Sequence, residues 1–313
     1  MNSKSERSEA AETIQTILSG IVPVGLTIAW PTNKVEPGSG DRRTRIMGDT
    51  GFDLAKLKEW DPGDRVDGKA SAKTGWRETL AALYEEPRDL TVWTIADNSP
   101  ALIFGTQNMT ERTLAATLLG RILGAASRDD RAGVITYDEQ HLQQILPPKS
   151  ASSQLLPALY SYLDPDESSF INNESSVSGL QQALLRLPLT ERCLVFVIST
   201  FHNLTAEELQ SLTTVGHVHD LVCLIIGDVR ERELPEGFGL RELKDLRTGR
   251  STTVWLSKRR RAQWAAEFDS ERKRLRHSLG DAGAAVEEFN TSDGDEGIDL
   301  KLVPVLTGVR YQE

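Results

Sequence analysis

The chain has 313 residues, of which 39% are hydrophobic and 26% are charged, and it carries a formal net charge of −10 at pH 7. This composition can supply a real core, but a molecule with an isoelectric point of about 5.2 is a poor electrostatic match for nucleic acid or anionic lipid. Two cysteines, Cys193 and Cys223, lie in separate apolar segments, which excludes a disulfide framework and favours a reducing compartment.

The N-terminal segment holds the candidate membrane anchor of the sequence. Residues 1–13 are polar and are predicted to be disordered. The apolar run at residues 14–30 is interrupted by Gln15, Thr16 and Pro23, is shorter than the roughly 20 apolar residues of a membrane span, and lacks the basic flank of a signal peptide. We therefore expect a helix end followed by a buried strand, no membrane span, and a cytoplasmic location.

Residues 14–86 are predicted to form a small β-rich lead-in. The stretch from Val35 to Trp76 is rich in Gly, Pro and Asp and shows no sustained periodicity. This pattern fits short strands joined by turns better than a helical domain.

Residues 87–313 alternate between apolar strands and helices, with a helical extension at the C-terminus. The predicted strands are 90–97, 131–138, 193–200, 220–228 and 251–256, and the main predicted helices are 111–128, 205–215 and 258–279. Strands that are apolar throughout and separated by helices indicate an α/β fold with a doubly wound, mostly parallel sheet. Ligands bind such sheets beyond the carboxyl ends of the strands, which directs attention to Asp97, Asp138, Thr200 and Asp228.

Several motifs of catalysis and phosphate binding are absent from the sequence. It contains no G-x-x-x-x-G-K-[ST], no G-x-G-x-x-G and no H-E-x-x-H. It also lacks the G-x-S-x-G nucleophile elbow. The residues therefore give no support for an enzyme.

Two multi-part motifs carry a family resemblance. They consist of Pro62-Gly63-Asp64-Arg65 with Asp67, Lys69 and Ser71, and then of Asp228, Leu234-Pro235 and Thr248-Gly249-Arg250. In order and spacing they resemble the DUF58 family of bacterial proteins, whose core is similar to a von Willebrand factor type A domain. The resemblance runs from about Arg42 to the C-terminus, although Gly68 stands where the family has a tryptophan.

The resemblance implies a metal-ion-dependent adhesion site at the edge of the sheet. Its pattern is Asp-x-Ser-x-Ser, a threonine from a later loop and an aspartate after the fourth strand, and Mg²⁺ needs about six oxygens there. Asp97 and Ser99 keep the pattern, and Ser178 takes the place of the threonine. Ala101 replaces the second serine and Thr200 replaces the aspartate. We interpret the site as degenerate, with no cofactor beyond weak Mg²⁺ binding.

The same resemblance implies a non-enzymatic protein-interaction module. DUF58 proteins are expected to work as adaptors with a MoxR-type AAA+ ATPase and its client. The alternative is a metal-dependent hydrolase in which Asp97 and a neighbouring carboxylate, Asp138 or Asp228, activate water.

Overall fold

The computed structural model describes most of the chain. The described residues are 3–21, 25–30, 42–48, 53–59, 66, 68–73, 75, 77, 79–88, 90–105, 109–126, 130–165, 177–244 and 250–308. The motif residues Pro62, Gly63, Asp64, Arg65, Asp67, Thr248 and Gly249 lie outside these ranges.

The helices and strands include those predicted for residues 87–313, together with others that the sequence analysis did not predict. The strands are β1 (Arg42–Gly48), β2 (Asp53–Glu59), β3 (Leu80–Arg88), β4 (Thr91–Asp97), β5 (Arg131–Tyr137), β6 (Leu142–Ser150), β7 (Leu194–Ser199), β8 (Asp220–Gly227), β9 (Gly239–Lys244), β10 (Ser251–Leu256) and β11 (Ala285–Asn290). The helices are α1 (Ser3–Ile21), α2 (Gly68–Lys73), α3 (Glu111–Ala125), α4 (Ala151–Leu163), α5 (Gly179–Leu184), α6 (Ala206–Val218), α7 (Val229–Arg232), α8 (Lys258–Asp281) and α9 (Gly294–Thr307). A 3₁₀ turn spans Pro100–Ile103.

The central sheet in the described part of the chain has six strands in the order β11-β8-β7-β4-β5-β6. Its neighbouring strands are parallel except for β5 and β6, which are antiparallel. β4, β7 and β8 are buried over nearly their whole length, because helices cover both faces of a sheet of this kind. The predicted fold class, a doubly wound and mostly parallel α/β sheet, is confirmed.

Alternate residues of the strands pack into two clusters on opposite faces of the sheet. Val92 and Ala96 of β4 belong to one cluster, while Trp93 and Ile95 belong to the other. The first cluster includes residues of α1, α3, α4 and α9, and the second includes residues of α5, α6 and α8. The core therefore fixes β4 between two helical layers, so the position of its carboxyl end is well defined.

The strand order reverses between β4 and β7. β5 and β6 continue the sheet on one side of this pair, and β8 and β11 continue it on the other. Ala96 lies opposite Ile198, so Asp97 and Ser199 end the two strands side by side. This crevice at the carboxyl ends is where sheets of this topology bind ligands.

Residues 3–21 form helix α1, where the sequence analysis expects disorder up to residue 13 and the lead-in from residue 14. Ile14 and Ile17 are buried in the first core cluster. A Cβ added at Gly120 of α3 would lie 2.7 Å from Cγ2 of Ile17, and one at Gly124 would lie 2.5 Å from Cγ2 of Ile21. The two glycines allow α1 to approach α3 closely, and this packing stabilises the helix.

The strand predicted before Trp30 is an extended segment outside the sheets. The amide of Ile28 donates to the carbonyl of Ala125 at 2.9 Å, and that of Ala29 donates to the carbonyl of Leu306 at 3.0 Å. These carbonyls lie in the last turns of α3 and α9, where helices leave acceptors unsatisfied. The segment therefore joins two helix ends instead of extending a sheet. None of the described helices combines the length and apolar character needed to cross a membrane.

The lead-in contains an antiparallel sheet in the order β1-β3-β2. Ser71 of α2 is buried, and its hydroxyl accepts a hydrogen bond of 2.9 Å from the amide of Leu80 in β3. Lys69 lies on the exposed side of the same helix. This part of the resemblance motif therefore fastens α2 to the small sheet.

Candidate functional site

Asp97 ends β4 as a buried carboxylate with three hydrogen-bond donors. Its Oδ1 accepts from the amide of Ser99 at 2.9 Å and from the Ser99 hydroxyl, and its Oδ2 accepts from the Ser199 hydroxyl at 2.7 Å. Burial raises the pKa of Asp97 above its ordinary value, and the bonds from Ser99 and Ser199 oppose part of that rise. Tyr162 of α4 also donates to the Asp97 carbonyl at 2.6 Å. The carboxylate is therefore held rigidly at the crevice.

Ser199, and not Thr200, contacts Asp97 from the neighbouring strand. The Thr200 hydroxyl instead accepts a long hydrogen bond of 3.4 Å from the amide of His202, and its carbonyl accepts one of 3.3 Å from Arg272. The sequence comparison placed Thr200 at the aspartate position of the pattern and gave Ser199 no role. A polar residue ending the apolar run of β7 was the signal that could have identified it.

Ala101 and Ser178 lie at the same edge of the sheet. Ala101 belongs to the 3₁₀ turn that follows Ser99 and offers no side-chain oxygen. Ser178 is the N-cap of α5, where its hydroxyl accepts from the amide of Gln181 and the Gln181 side chain accepts from the amide of Ser178, a capping box. A Cβ added at Gly179 would lie 2.0 Å from the Asp138 carbonyl, so glycine is needed where α5 meets the end of β5. Asp97, Ser99, Ala101 and Ser178 all line one cavity.

The two carboxylates considered as catalytic partners of Asp97 both stabilise turns. Asp138 Oδ1 accepts from the amides of Gln140 at 2.9 Å and His141 at 2.7 Å. Asp228 caps α7 by accepting from the amide of Arg230 at 2.8 Å, and it also accepts from the Thr291 hydroxyl at 2.5 Å. Among the described residues, no group of three or more His, Cys, Asp or Glu side chains is arranged to hold a metal ion.

Two further described motif residues, Leu234 and Pro235, follow α7 in the chain. Leu234 is buried with 9% of its surface exposed, whereas Pro235 is exposed. Trp264 of α8 donates from its indole to the carbonyl of Glu231 in α7 at 2.9 Å. Asp228 and Leu234 thus position α7, and with it Glu231, beside the crevice.

The cavity at the crevice has a volume of about 650 Å³. Its polar lining is strongly acidic. The acidic residues that line it are Asp97, Glu111, Asp138, Glu139, Glu208, Glu231 and Glu271. Within the described chain, no lysine or arginine lines it, and His202 is its basic side chain. Apolar and aromatic residues supply the rest of the wall, among them Leu102, Phe104, Leu204, Trp264 and Phe268.

Glu111, the first residue of α3, was not identified from the sequence. Only 3% of its surface is exposed, and its Oε1 has no hydrogen-bond partner among the described residues. Burial raises the pKa of Glu111 to about 9, with further increases from the charges of Glu231 and Asp228. Its position in a helix gave no signal, because only the packing of α3 across the sheet edge buries it.

The loop after β7 carries an unusual backbone. Phe201 and Asn203 have φ angles of 51° and 55°, in the left-handed region. Asparagine adopts this region comparatively often, whereas a bulky residue such as phenylalanine rarely does. His202, between them, has its Nε2 at 2.8 Å from Oε1 of Glu231. Strained backbone of this kind persists where surrounding packing fixes it, and it is common at functional sites. Here it brings His202 and Glu231 together at the cavity wall.

Comparison with known proteins gives one family. Residues 56–274 match the model described as "Protein of unknown function DUF58". None of the curated protein sequences matches the chain.

Solved structures with a related shape share little sequence with the chain. BatB of Bacteroides thetaiotaomicron, a conserved hypothetical protein, is 15% identical with a TM-score of 0.42, over 68% of this chain and 97% of that chain. An aerotolerance-related membrane protein of Bacteroides fragilis is 13% identical with a TM-score of 0.44, over 68% and 98% of the two chains. A von Willebrand factor type A structure from Catenulispora acidiphila is 11% identical with a TM-score of 0.31, over 55% and 40%.

Proposed function

Because the chain belongs to the DUF58 family, we propose that it is a non-catalytic protein-interaction module in the bacterial cytoplasm. In this role it acts as an adaptor for a MoxR-type AAA+ ATPase and that ATPase's client. Domains of the DUF58 and von Willebrand factor type A type are typically interaction domains. Since a fold alone does not determine a function, the proposal depends on the site at the carboxyl edge of the sheet.

The observation that carries the proposal is the open crevice between β4 and β7. It lies where the strand order reverses, and its cavity of about 650 Å³ has both acidic and aromatic walls. Ile103 is 64% exposed in the adjoining 3₁₀ turn, next to Leu102 and Phe104 of the wall. An exposed apolar residue beside a concave site is typical of a contact surface for another protein.

The side-chain oxygens at the carboxyl edge of the sheet are already used in hydrogen bonds, which supports partner binding without a metal ion. Both carboxylate oxygens of Asp97 accept hydrogen bonds from serine hydroxyls. Mg²⁺ demands near-octahedral coordination by oxygens, Ala101 supplies none, and Ser178 uses its hydroxyl as a helix cap. Weak Mg²⁺ binding by Asp97, Ser99 and Ser178 would have to displace these bonds, so we propose that the adhesion site is degenerate.

The hydrolase alternative is not favoured. A hydrolytic metal needs a second anionic ligand close to Asp97. Asp138 and Asp228 are engaged with backbone amides of their own turns.

Affinity purification from the native organism tests the proposal. The tagged protein is expected to recover a MoxR-type AAA+ ATPase, identified by mass spectrometry, and Ile103→Asp is expected to reduce the yield at least tenfold. Leu189→Asp is the matched control, because Leu189 is 85% exposed and lies before the amino end of β7, at the opposite edge of the sheet. Recovery of no AAA+ ATPase, or equal loss in both variants, would refute the proposed role.

A further inference from the structure

We propose that the acidic cavity is a binding site for a basic side chain, preferably arginine, presented by a partner protein. The inference deepens the proposed function, since it names the chemistry that the partner would bring to the carboxyl edge. It differs from the adhesion-site pattern, in which a metal ion receives an acidic residue of the partner.

The first argument is an unpaired acceptor in the cavity wall. Glu111 is almost fully buried, and its Oε1 has no hydrogen-bond partner among the described residues. Glu231, on the wall with it, likewise has its Oε2 without a hydrogen-bond partner in the described part of the chain. Burial keeps Glu111 protonated near pH 7, and a buried carboxyl group without a hydrogen-bond partner costs free energy. A cationic ligand that supplies N–H donors to both groups would favour loss of the Glu111 proton and remove that cost.

The second argument is that Arg272, the arginine whose charge acts on Glu111, does not supply those donors. Arg272 directs its Nε to Oε1 of Glu288 at 2.9 Å. Its two Nη atoms donate to the carbonyls of Thr200 at 3.3 Å and Ile226 at 3.4 Å. The charge of Arg272 lowers the pKa of Glu111, but burial and the charges of the acidic neighbours raise it by more. Arg272 therefore does not pair with the acidic wall, and no lysine or arginine among the described residues lines the cavity.

The third argument concerns shape. A volume of about 650 Å³ is far larger than a bare ion needs, and apolar and aromatic residues line much of it. An arginine side chain combines an aliphatic stem with a planar guanidinium that binds carboxylates through two hydrogen bonds and stacks on aromatic rings. Phe104 and Trp264 line the same cavity as Glu111 and Glu231 and offer such rings.

Binding of small probes tests the site without knowledge of the partner. Titration of the full chain with N-acetyl-arginine methylamide, followed by NMR chemical-shift changes at residues of the cavity, is expected to show saturable binding. N-acetyl-norleucine methylamide, which has the stem without the charge, is expected to bind at least tenfold more weakly. Addition of 5 mM Mg²⁺ alone is expected to leave these resonances unchanged.

Three variants assign the binding to the cavity. Glu111→Gln and Glu231→Gln are each expected to weaken the arginine probe about tenfold or more. Glu207→Gln, on the exposed side of α6 and outside the cavity wall, is expected to leave binding unchanged. Glu231 is the safer of the two test positions, since its side chain is 17% exposed and its replacement disturbs the core less.

The outcomes separate this inference from the adaptor role. If the charged and uncharged probes bind equally, if neither glutamine variant weakens the arginine probe, or if Mg²⁺ alone produces the shifts, the basic-residue site is refuted. Recovery of the AAA+ ATPase by the wild-type protein would then leave the adaptor role standing. Specific binding of the arginine probe without recovery of an AAA+ ATPase would support the cavity and reject the adaptor role.

Discussion

Ser199 donates a hydrogen bond of 2.7 Å to Oδ2 of Asp97, which joins the carboxyl ends of β7 and β4 at the point where the strand order reverses. The bond uses one of the two carboxylate oxygens that a metal ion would need. Ser99 uses the other. The same aspartate that suggests a metal site from the sequence therefore serves as a structural acceptor in the crevice.

A matched pair of alanine variants distinguishes Ser199 from Thr200. Ser199→Ala leaves Oδ2 of a buried carboxylate without its donor, so we expect the free energy of unfolding to fall by about 1–3 kcal/mol. Thr200→Ala removes a hydroxyl with one long hydrogen bond, and we expect a loss below about 1 kcal/mol. Urea denaturation of both variants measures the difference. An equal or larger loss for Thr200→Ala would contradict the assigned contact.

Divalent cations are expected to leave the stability of the protein unchanged. Thermal melts with and without 5 mM Mg²⁺ or Mn²⁺ should agree within about 1 °C, because Asp97 is already satisfied by hydroxyl donors. A cation present at 100 times its dissociation constant would instead stabilise the folded state by about 2.7 kcal/mol, a shift of several degrees. An upward shift in the wild type that disappears in Asp97→Ala would show that the adhesion site works despite Ala101 and Thr200.

Ionisation of Glu111 is expected to lower the free energy of unfolding as the pH rises. Its pKa is raised from an ordinary value of 4.5 to about 9 by burial and by the charges of Glu231, Asp228 and Asp97, against Arg272. Between pH 4.5 and about pH 9, Glu111 is ionised in the unfolded chain but protonated in the folded chain. The stability is therefore greatest below pH 4.5, as far as this group is concerned, and falls as the pH approaches 9.

Glu111→Gln removes this dependence without changing the size of the side chain. At pH 7 we expect the variant to be more stable than the wild type by an amount on the order of 3 kcal/mol, with a smaller difference near pH 5. Chemical denaturation at pH 5, 7 and 8.5 measures the trend. A stability difference that does not grow with pH would show that Glu111 is ionised in the folded protein.

The contact of α1 with α3 is expected to depend on glycine. A Cβ at Gly120 would lie 2.7 Å from Cγ2 of Ile17, so Gly120→Ala should cost about 1–3 kcal/mol through overpacking. The same substitution in an Ile17→Ala background should cost clearly less, because the clashing methyl group is gone. A double-mutant cycle by urea denaturation measures the coupling. Additive effects would mean that α1 does not pack on α3 in this manner.

Much of the fold was predictable from local pattern. β4, β7 and β8 were identified because strands buried on both faces are apolar throughout. The Thr205-x-x-Glu208 pattern is typical of a capping box, and both hydrogen bonds of that box are present at the start of α6. The helix predicted over 258–279 is α8, which begins at Lys258 and ends at Asp281. In each case the physical cause acts within a few residues of the chain.

The candidate site was predictable only as a location. The sequence placed Asp97 and Ser99 at the end of a strand, and the crevice lies there. The sequence analysis chose Thr200 instead of Ser199, its neighbour by one residue. A family pattern does not determine which side chain at the end of β7 faces Asp97. Glu111 was missed entirely, because a glutamate at the start of a helix is normally solvated.

The sequence by itself determined the parallel α/β architecture, the position of Asp97 and the family, since these depend on apolar runs and local motifs. The tertiary structure alone decided where α1 packs, because α1 approaches α3 closely at Gly120 and Gly124 of that distant helix. It also decided that Asp97 is satisfied by Ser199 and that Glu111 is buried without a donor. Burial and hydrogen bonding across the sheet are relations between residues far apart in the chain, and no local pattern encodes them.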